Sequence, residues 1–244
     1  MTNINRTHTC AGRSNCQACP LRETMICADV SLEDLVSFHT PIDDVIFEPG
    51  ATLYNMATPA GNVHCIRRGA VKLVRFDAGG VQHIVRILKK NDVAGLESIF
   101  LDSHQHTAVA LTEVHSCRIP MTHFRRFIDE HPSLQMRLLE KAHEALREAD
   151  SWLSELVSNA VPARVRLARL LLRLRIGDGD HIYRLNLTDM AAILGITPET
   201  ISRMLGEFRD EGILLKVAQT RNGGKLVGRH YRGNMATLAA ISNE

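Results

Sequence analysis

Apolar positions beyond Thr122 recur with a helical period: Leu134, Leu138, Ala142, Ala145, Ala149, Trp152 and Leu156 make one stripe of about seven turns. A helix that long needs a partner, and its charged flanks favour a second copy of the chain over a buried place in its own subunit. Upstream, residues 42–120 break into short β-type runs, among them VIFEPGATLY, VHCIRRGAVKLVRF and TAVALTEVHSCRIP, with turn signals at Glu48-Pro49-Gly50 and Asp77-Ala78-Gly79-Gly80. An all-β roll follows, with alternation in AVKLVRF turning Val71, Leu73 and Phe76 toward its interior.

Downstream, TDMAAILGITPETISRMLGEFRDE (residues 188–211) reads as helix, turn at Gly195, helix. Thr188 and Thr197 stand where N-cap hydroxyls would satisfy free amides, and Pro198 falls at a first helical position. On the second helix Ile201, Leu205 and Phe208 form the inward stripe. Glu199, Ser202 and Arg203 share the outward face, where an arginine can pair with guanine O6 and N7 and a glutamate can accept from cytosine N4. GILLKV, a turn on Asn222 and Gly223, and KLVGRHY then suggest a β-hairpin wing. The expected class is α+β: a cysteine-rich tail (1–28), a β-roll sensor (29–130), a dimerisation helix (131–158) and a winged helix-turn-helix (162–235).

Charge sharpens this picture. The net +2 conceals 13 Lys and Arg against 8 Asp and Glu in residues 162–244, with 16 against 19 before them. Arg164, Arg166, Arg169, Arg173 and Arg175 precede the motif, and Arg209 and the wing cations follow it, a distribution suited to phosphates. The most apolar run, VRLARLLLRL, is interrupted by arginines, so neither a membrane span nor a leader is expected, and a cytoplasmic location follows. No P-loop, dinucleotide fingerprint or nucleophile elbow points to an enzyme.

Four of six cysteines, Cys10, Cys16, Cys19 and Cys27, lie within the first 27 residues. Cys16-x2-Cys19 puts two thiolates within reach of one metal centre and Cys27 adds a third. Zinc closed by Cys10, or an iron-sulfur group with a distant ligand such as Cys117, both fit the spacing, and thiol redox chemistry without a metal is the third reading. His8 is better read as a tail histidine than as a ligand.

Taken together, the tail cysteines, the roll, the long helix and LGITPETISRMLGEF resemble the CRP/FNR superfamily of bacterial transcription regulators, and most of all its oxygen-sensing FNR branch. The resemblance implies that E-T-I-S-R reads TTGAT-type palindromes through Glu199, Ser202 and Arg203, with Thr188, Thr197, Thr200 and Arg209 on phosphates. It further implies a [4Fe-4S] cluster on Cys16, Cys19, Cys27 and Cys117, the last in a C-x-I-P context. Seven residues separate Cys19 from Cys27, more than in the best-known member of that branch. The implied active state is a homodimer on double-stranded DNA that recruits RNA polymerase; the apolar stripe itself puts Trp152 and Leu156 at the expected seam, and Asp150 beside it would oppose its symmetry mate and keep association weak. Cyclic-nucleotide receptors use an Arg-Ser pair where this chain has His106-Thr107, and an acidic residue where it has Leu96 after Gly95. A buried phosphate would therefore lack its charge-assisted partner. Structural zinc, a small-molecule or nitric oxide effector, and haem on His64, His83 or His115 are the alternatives.

Overall fold

A computed structural model describes residues 8–28, 30–31, 33–34, 42–80, 82–157, 160–216, 221–222, 225–226 and 230–243. The chain divides into two compact units, residues 1–75 with 86–146, and residues 76–85 with 147–244.

Two antiparallel sheets build the roll. One has the order β1 (His8–Arg13), β2 (Asp43–Phe47), β9 (Val114–Pro120), β4 (Asn62–Arg68), β7 (Val93–Ala94). The other has the order β3 (Thr52–Tyr54), β8 (Thr107–Ala110), β5 (Val71–Phe76), β6 (Gln82–Leu88). Val45 with Phe47 and Val71 with Leu73 are buried in period-two alternation, whereas β4 buries a continuous run from Val63 to Ile66 and β5 also buries Val74. Phe76 departs from that alternation at the strand end and is 45% exposed, not interior. Gly69 closes the β4–β5 turn at φ 92°, where an added Cβ would lie 2.3 Å from the Glu113 carbonyl oxygen.

The tail is built into this unit. β1 pairs with β2 as an edge strand, and successive turns then bury Met25, Ile26 and Val30 among Val63, Cys65, Met121, Phe124 and Leu134. Full burial of a Met or Ile side chain contributes about 1.5–3 kcal/mol. A polar tail is held down by a few apolar anchors that use the roll's core.

Helix α1 (Met121–Glu130) follows the roll, then α2 (Pro132–Trp152), which passes into a π-helical turn at Leu153–Val157. The stripe read from the sequence is inward only at its ends: Leu134, Trp152 and Leu156 are buried and Leu138 and Ala145 half-buried, but Ala142 and Ala149 are exposed. Trp152 is 4% and Leu156 0% exposed within a single chain, so these two are core and not seam. The exposed large apolar side chains are Met136, Leu139 and Leu146 on α2, with Leu153 and Val157 beyond it. His143 and Asp150, both exposed, occupy the remaining positions of that alternating three-and-four repeat. Asp150 therefore lies within the outward stripe.

The second unit holds α3 (Ala163–Arg173), β10 (His181–Tyr183), α4 (Leu187–Leu194), α5 (Pro198–Asp210), β11 (Leu214–Lys216), β12 (Arg221–Asn222), β13 (Lys225–Leu226), β14 (His230–Gly233) and α6 (Met235–Ser242). β10, β14 and β11 form one sheet, and β12 pairs with β13 in the wing. Gly223, in the expected wing turn, is outside the described residues. α6 carries buried Leu238 and Ile241 and packs on α3, which makes it part of the core.

Candidate functional site

In the second unit, α4 and α5 meet at Gly195, whose φ of 62° ends α4 in the left-handed conformation that glycine favours. Thr197 caps α5, its Oγ1 accepting from the Thr200 amide at 3.3 Å, and Pro198 is in the first turn. Thr188 is not a cap. Asn186 holds that role, its Oδ1 accepting from the Asp189 amide at 2.6 Å, because α4 begins at Leu187 and leaves Thr188 exposed in the first turn. Ile201, Met204, Leu205 and Phe208 bury one face of α5, while Glu199, Ser202 and Arg203 are exposed on the other. Two donors or acceptors a turn apart at a helix start are placed to meet base edges in a major groove.

The arginines before the motif have other partners. Arg164 donates to both Glu211 carboxylate oxygens at 3.0 and 2.5 Å and lies over the Phe208 ring. Arg166 is buried and donates to the carbonyls of Leu156 and Leu194 at 3.3 and 2.5 Å. Arg169 donates to the Ser242 carbonyl, Arg173 to Ser151 and Glu155, and Arg175 to the carbonyls of Asp178 and Gly179. This cluster ties the unit together, and the expectation of a phosphate patch there is corrected. Arg209 is exposed, with its Nε donating to the Leu205 carbonyl at 3.0 Å.

In the first unit, Cys16, Cys19, Cys27 and Cys117 line one cavity together with Ser14, Arg22, Cys65 and Arg67. The turns that place the tail thiols are local: the Cys16 carbonyl accepts from the Cys19 amide at 3.4 Å, and the Cys19 carbonyl from the Arg22 amide at 3.2 Å. Cys117 comes from β9, where it stands in register with Cys65 of β4 and Asp44 of β2. Ser14 Oγ donates to Cys117 Sγ at 3.5 Å. Cys10 is exposed on β1 and is not among the lining residues.

Burial pushes the Cys27 thiol up to about 12, and neighbouring Cys16 and Cys117 reinforce the shift. Burial also raises Cys16, with Cys19 adding to it and Arg67 and Arg22 opposing. Cys117 is raised by burial against the Ser14 hydrogen bond and Arg67. Thiolates crowded this way resist ionising together unless a cation draws off their charge, which is the chemistry of a metal-binding donor set. Among the described residues, no three His, Cys, Asp or Glu side chains converge on a single ion. All four thiols line one cavity, and a set of cysteine donors suits zinc and an iron-sulfur group alike.

The three histidines considered for haem are engaged: buried His64 Nδ1 with Ser116 Oγ at 3.3 Å, His83 with Asp77 at 3.1 Å, and His115 with Glu113 at 3.0 Å. At the nucleotide-binding position, Glu97 Oε1 is 3.8 Å from Nδ1 of both His104 and His106. No helix of the described residues is long and apolar enough to cross a membrane.

A roll followed by a capped helix pair with an exposed reading face and a wing is the architecture of a DNA-binding regulator. The family model of the cyclic nucleotide-binding domain matches residues 44–131 and that of the Crp-like helix-turn-helix domain residues 165–223, together more than half of the chain. The global nitrogen regulator of Synechocystis sp. is 26% identical over 72% of this chain and 81% of its own. An anaerobic regulatory protein of Pasteurella multocida is 24% identical over 82% of this chain and 76% of its own. The fold is similar to that of FixK2 from Bradyrhizobium japonicum, with a TM-score of 0.66 and 23% identity over 82% of this chain and 96% of that one. The chain belongs to the CRP/FNR family of DNA-binding transcription regulators and is not an enzyme.

Proposed function

We propose that this regulator senses oxygen through a [4Fe-4S] cluster held by Cys16, Cys19, Cys27 and Cys117, and that it acts on anaerobic or microaerobic genes in the cytoplasm as a homodimer on TTGAT-type palindromes. The observation that carries the reading is one cavity lined by all four of these thiols, although Cys27 and Cys117 are 90 residues apart. Kinship with a protein named as an anaerobic regulator supports it. When bound, the cluster supplies an oxygen-labile cross-link between the tail turns and β9.

The chain's own residues do the rest. Met25, Ile26 and Val30 dock the tail against α1 and the start of α2, so the order of the tail bears on the helix that carries the seam. Met136, Leu139 and Leu146 form a seam for a second copy, and Asp150 opposes its symmetry mate there and keeps association weak. A dimer sets two reading helices on one face of DNA, where linked half-sites give far tighter binding than one. Glu199, Ser202 and Arg203 contact bases, Thr188, Thr197, Thr200 and Arg209 contact phosphates, and the bound dimer recruits RNA polymerase.

Anaerobic purification followed by iron and sulfide analysis tests the reading. About four irons and four sulfides per subunit are expected. One zinc per subunit and no sulfide would overturn it.

A further inference from the structure

Two cations stand in the wall of the cysteine cavity. Arg22 and Arg67 are the only charged side chains, thiols apart, among the described residues that line it. Each is anchored at one end of its guanidinium. Arg22 Nη2 donates to the Val30 carbonyl at 3.0 Å, and Arg67 Nη2 donates to Asp44 Oδ1. In both, Nε is buried and has no hydrogen-bond partner among the described residues. One buried unpaired donor can be a packing accident that costs about 1–3 kcal/mol. Two, on the two cations of one cavity, suggest a shared acceptor.

The charge balance points the same way. Four thiolates around a [4Fe-4S]2+ core leave a net dianion, and two fixed guanidinium groups offset it. Guanidinium N–H groups are hard donors held in a rigid fork, and cluster potentials respond to net charge and to hydrogen bonds at sulfur. Asp44 also fixes where the Arg67 charge sits, because it stands in register with Cys117 across β2 and β9.

We infer that Arg22 and Arg67 form a cationic clamp that sets the reduction potential and the air lifetime of the group bound by the four cysteines. This rests on the cluster reading above. The clamp residues are not ligands; they act on the group through charge and N–H donation. Removing one positive charge disfavours the reduced form, which lowers the potential, and it loosens an anion held in a low-dielectric wall, which shortens the lifetime.

The test uses the full chain, purified without air, as wild type, Arg67→Met, Arg67→Lys, Arg22→Met and Asp44→Asn. Iron and sulfide content, a potentiometric titration followed by visible absorbance, and the rate of bleaching in air are read for each. Arg67→Met and Arg22→Met are expected to give a more negative potential and bleaching about tenfold faster. Arg67→Lys, which keeps the charge but not the fork, should fall between these and wild type. Asp44→Asn removes a negative charge beside Arg67 and should shift the potential the other way, to a less negative value. Arg22→Met also loses the bond to Val30, so circular dichroism checks its fold, and the Arg67 series carries the test if that variant unfolds. Potential and bleaching rate equal to wild type in Arg67→Met would overturn the clamp while leaving the cluster standing. Wild-type protein without iron and sulfide would overturn both.

Discussion

Glu199 and Arg203 stand one helical turn apart on the exposed face of α5, and their chemistry is directional: one accepts, the other donates in a fork. Glu199→Val should therefore change which base is preferred at one position, with about 1–3 kcal/mol of discrimination lost, and leave affinity for unrelated duplexes unchanged. A selection from randomised half-sites reads this, and an unaltered consensus would remove Glu199 from the base-reading set. The cysteines divide in the same way. Cys19→Ala should lose the iron, whereas Cys10→Ala should keep it, because Cys10 lies exposed on β1, outside the cavity. Full iron in Cys19→Ala would refute its ligand role. Residues whose roles depend on near neighbours were legible in the sequence: Thr197, Pro198 and Gly195 carry cap and turn chemistry within a few positions. Thr188 misled because Asn186, two residues earlier, is an equally good cap and the helix starts there. No local signal shows Arg22 and Arg67 as cavity residues, since each is defined by a partner on another strand or turn.

Among the elements, α2 carries two apolar stripes of heptad-like spacing, and periodicity alone cannot say which one faces the subunit's own core. Burial decides it: Trp152 and Leu156 go inward, and Met136, Leu139 and Leu146 go out. Leu146→Glu should abolish dimers, and Asp150→Ala should strengthen them roughly tenfold, a scale set by the removal of a like-charge pair worth about 1 kcal/mol or more. Sedimentation equilibrium of anaerobic protein checks Leu146→Glu and of air-exposed protein Asp150→Ala, and an unchanged constant for Asp150→Ala would relegate it to an ordinary solvated residue. On α3, Arg166 joins the π-helical turn to the end of α4 through two carbonyls. Arg166→Met leaves both acceptors unpaired in the core, and a loss of about 2–5 kcal/mol is expected in urea unfolding. The arginine cluster read as a phosphate patch was misjudged for a general reason. Composition locates cations along the chain, but not the carbonyls and carboxylates that come to them on folding.

At the scale of the whole molecule, the order of roll, long helix and winged motif was readable because each has its own period and turn chemistry. The addition of β1 to the roll was not, since an edge strand of HTCAGR has neither alternation nor apolar weight. Acid stability provides a global test of the roll. Burial holds His64 down at about 3, and it lowers His104 as well. The unfolded chain takes up these protons first, so stability is complete above about 6.5 and falls as pH drops toward 3, by at most about 1.4 kcal/mol per pH unit for each group. Urea midpoints at pH 7.5 and 5.5 should show the drop, and His64→Gln should flatten it. In the proposed function, an oxygen-labile group in the first unit governs DNA binding by the second. Fluorescence anisotropy of anaerobic protein on a labelled TTGAT…ATCAA duplex, repeated on the same sample after brief exposure to air, addresses it directly. Tight binding that is lost in air and restored by rebuilding the cluster is the expected result, and equal affinity before and after exposure would contradict the account.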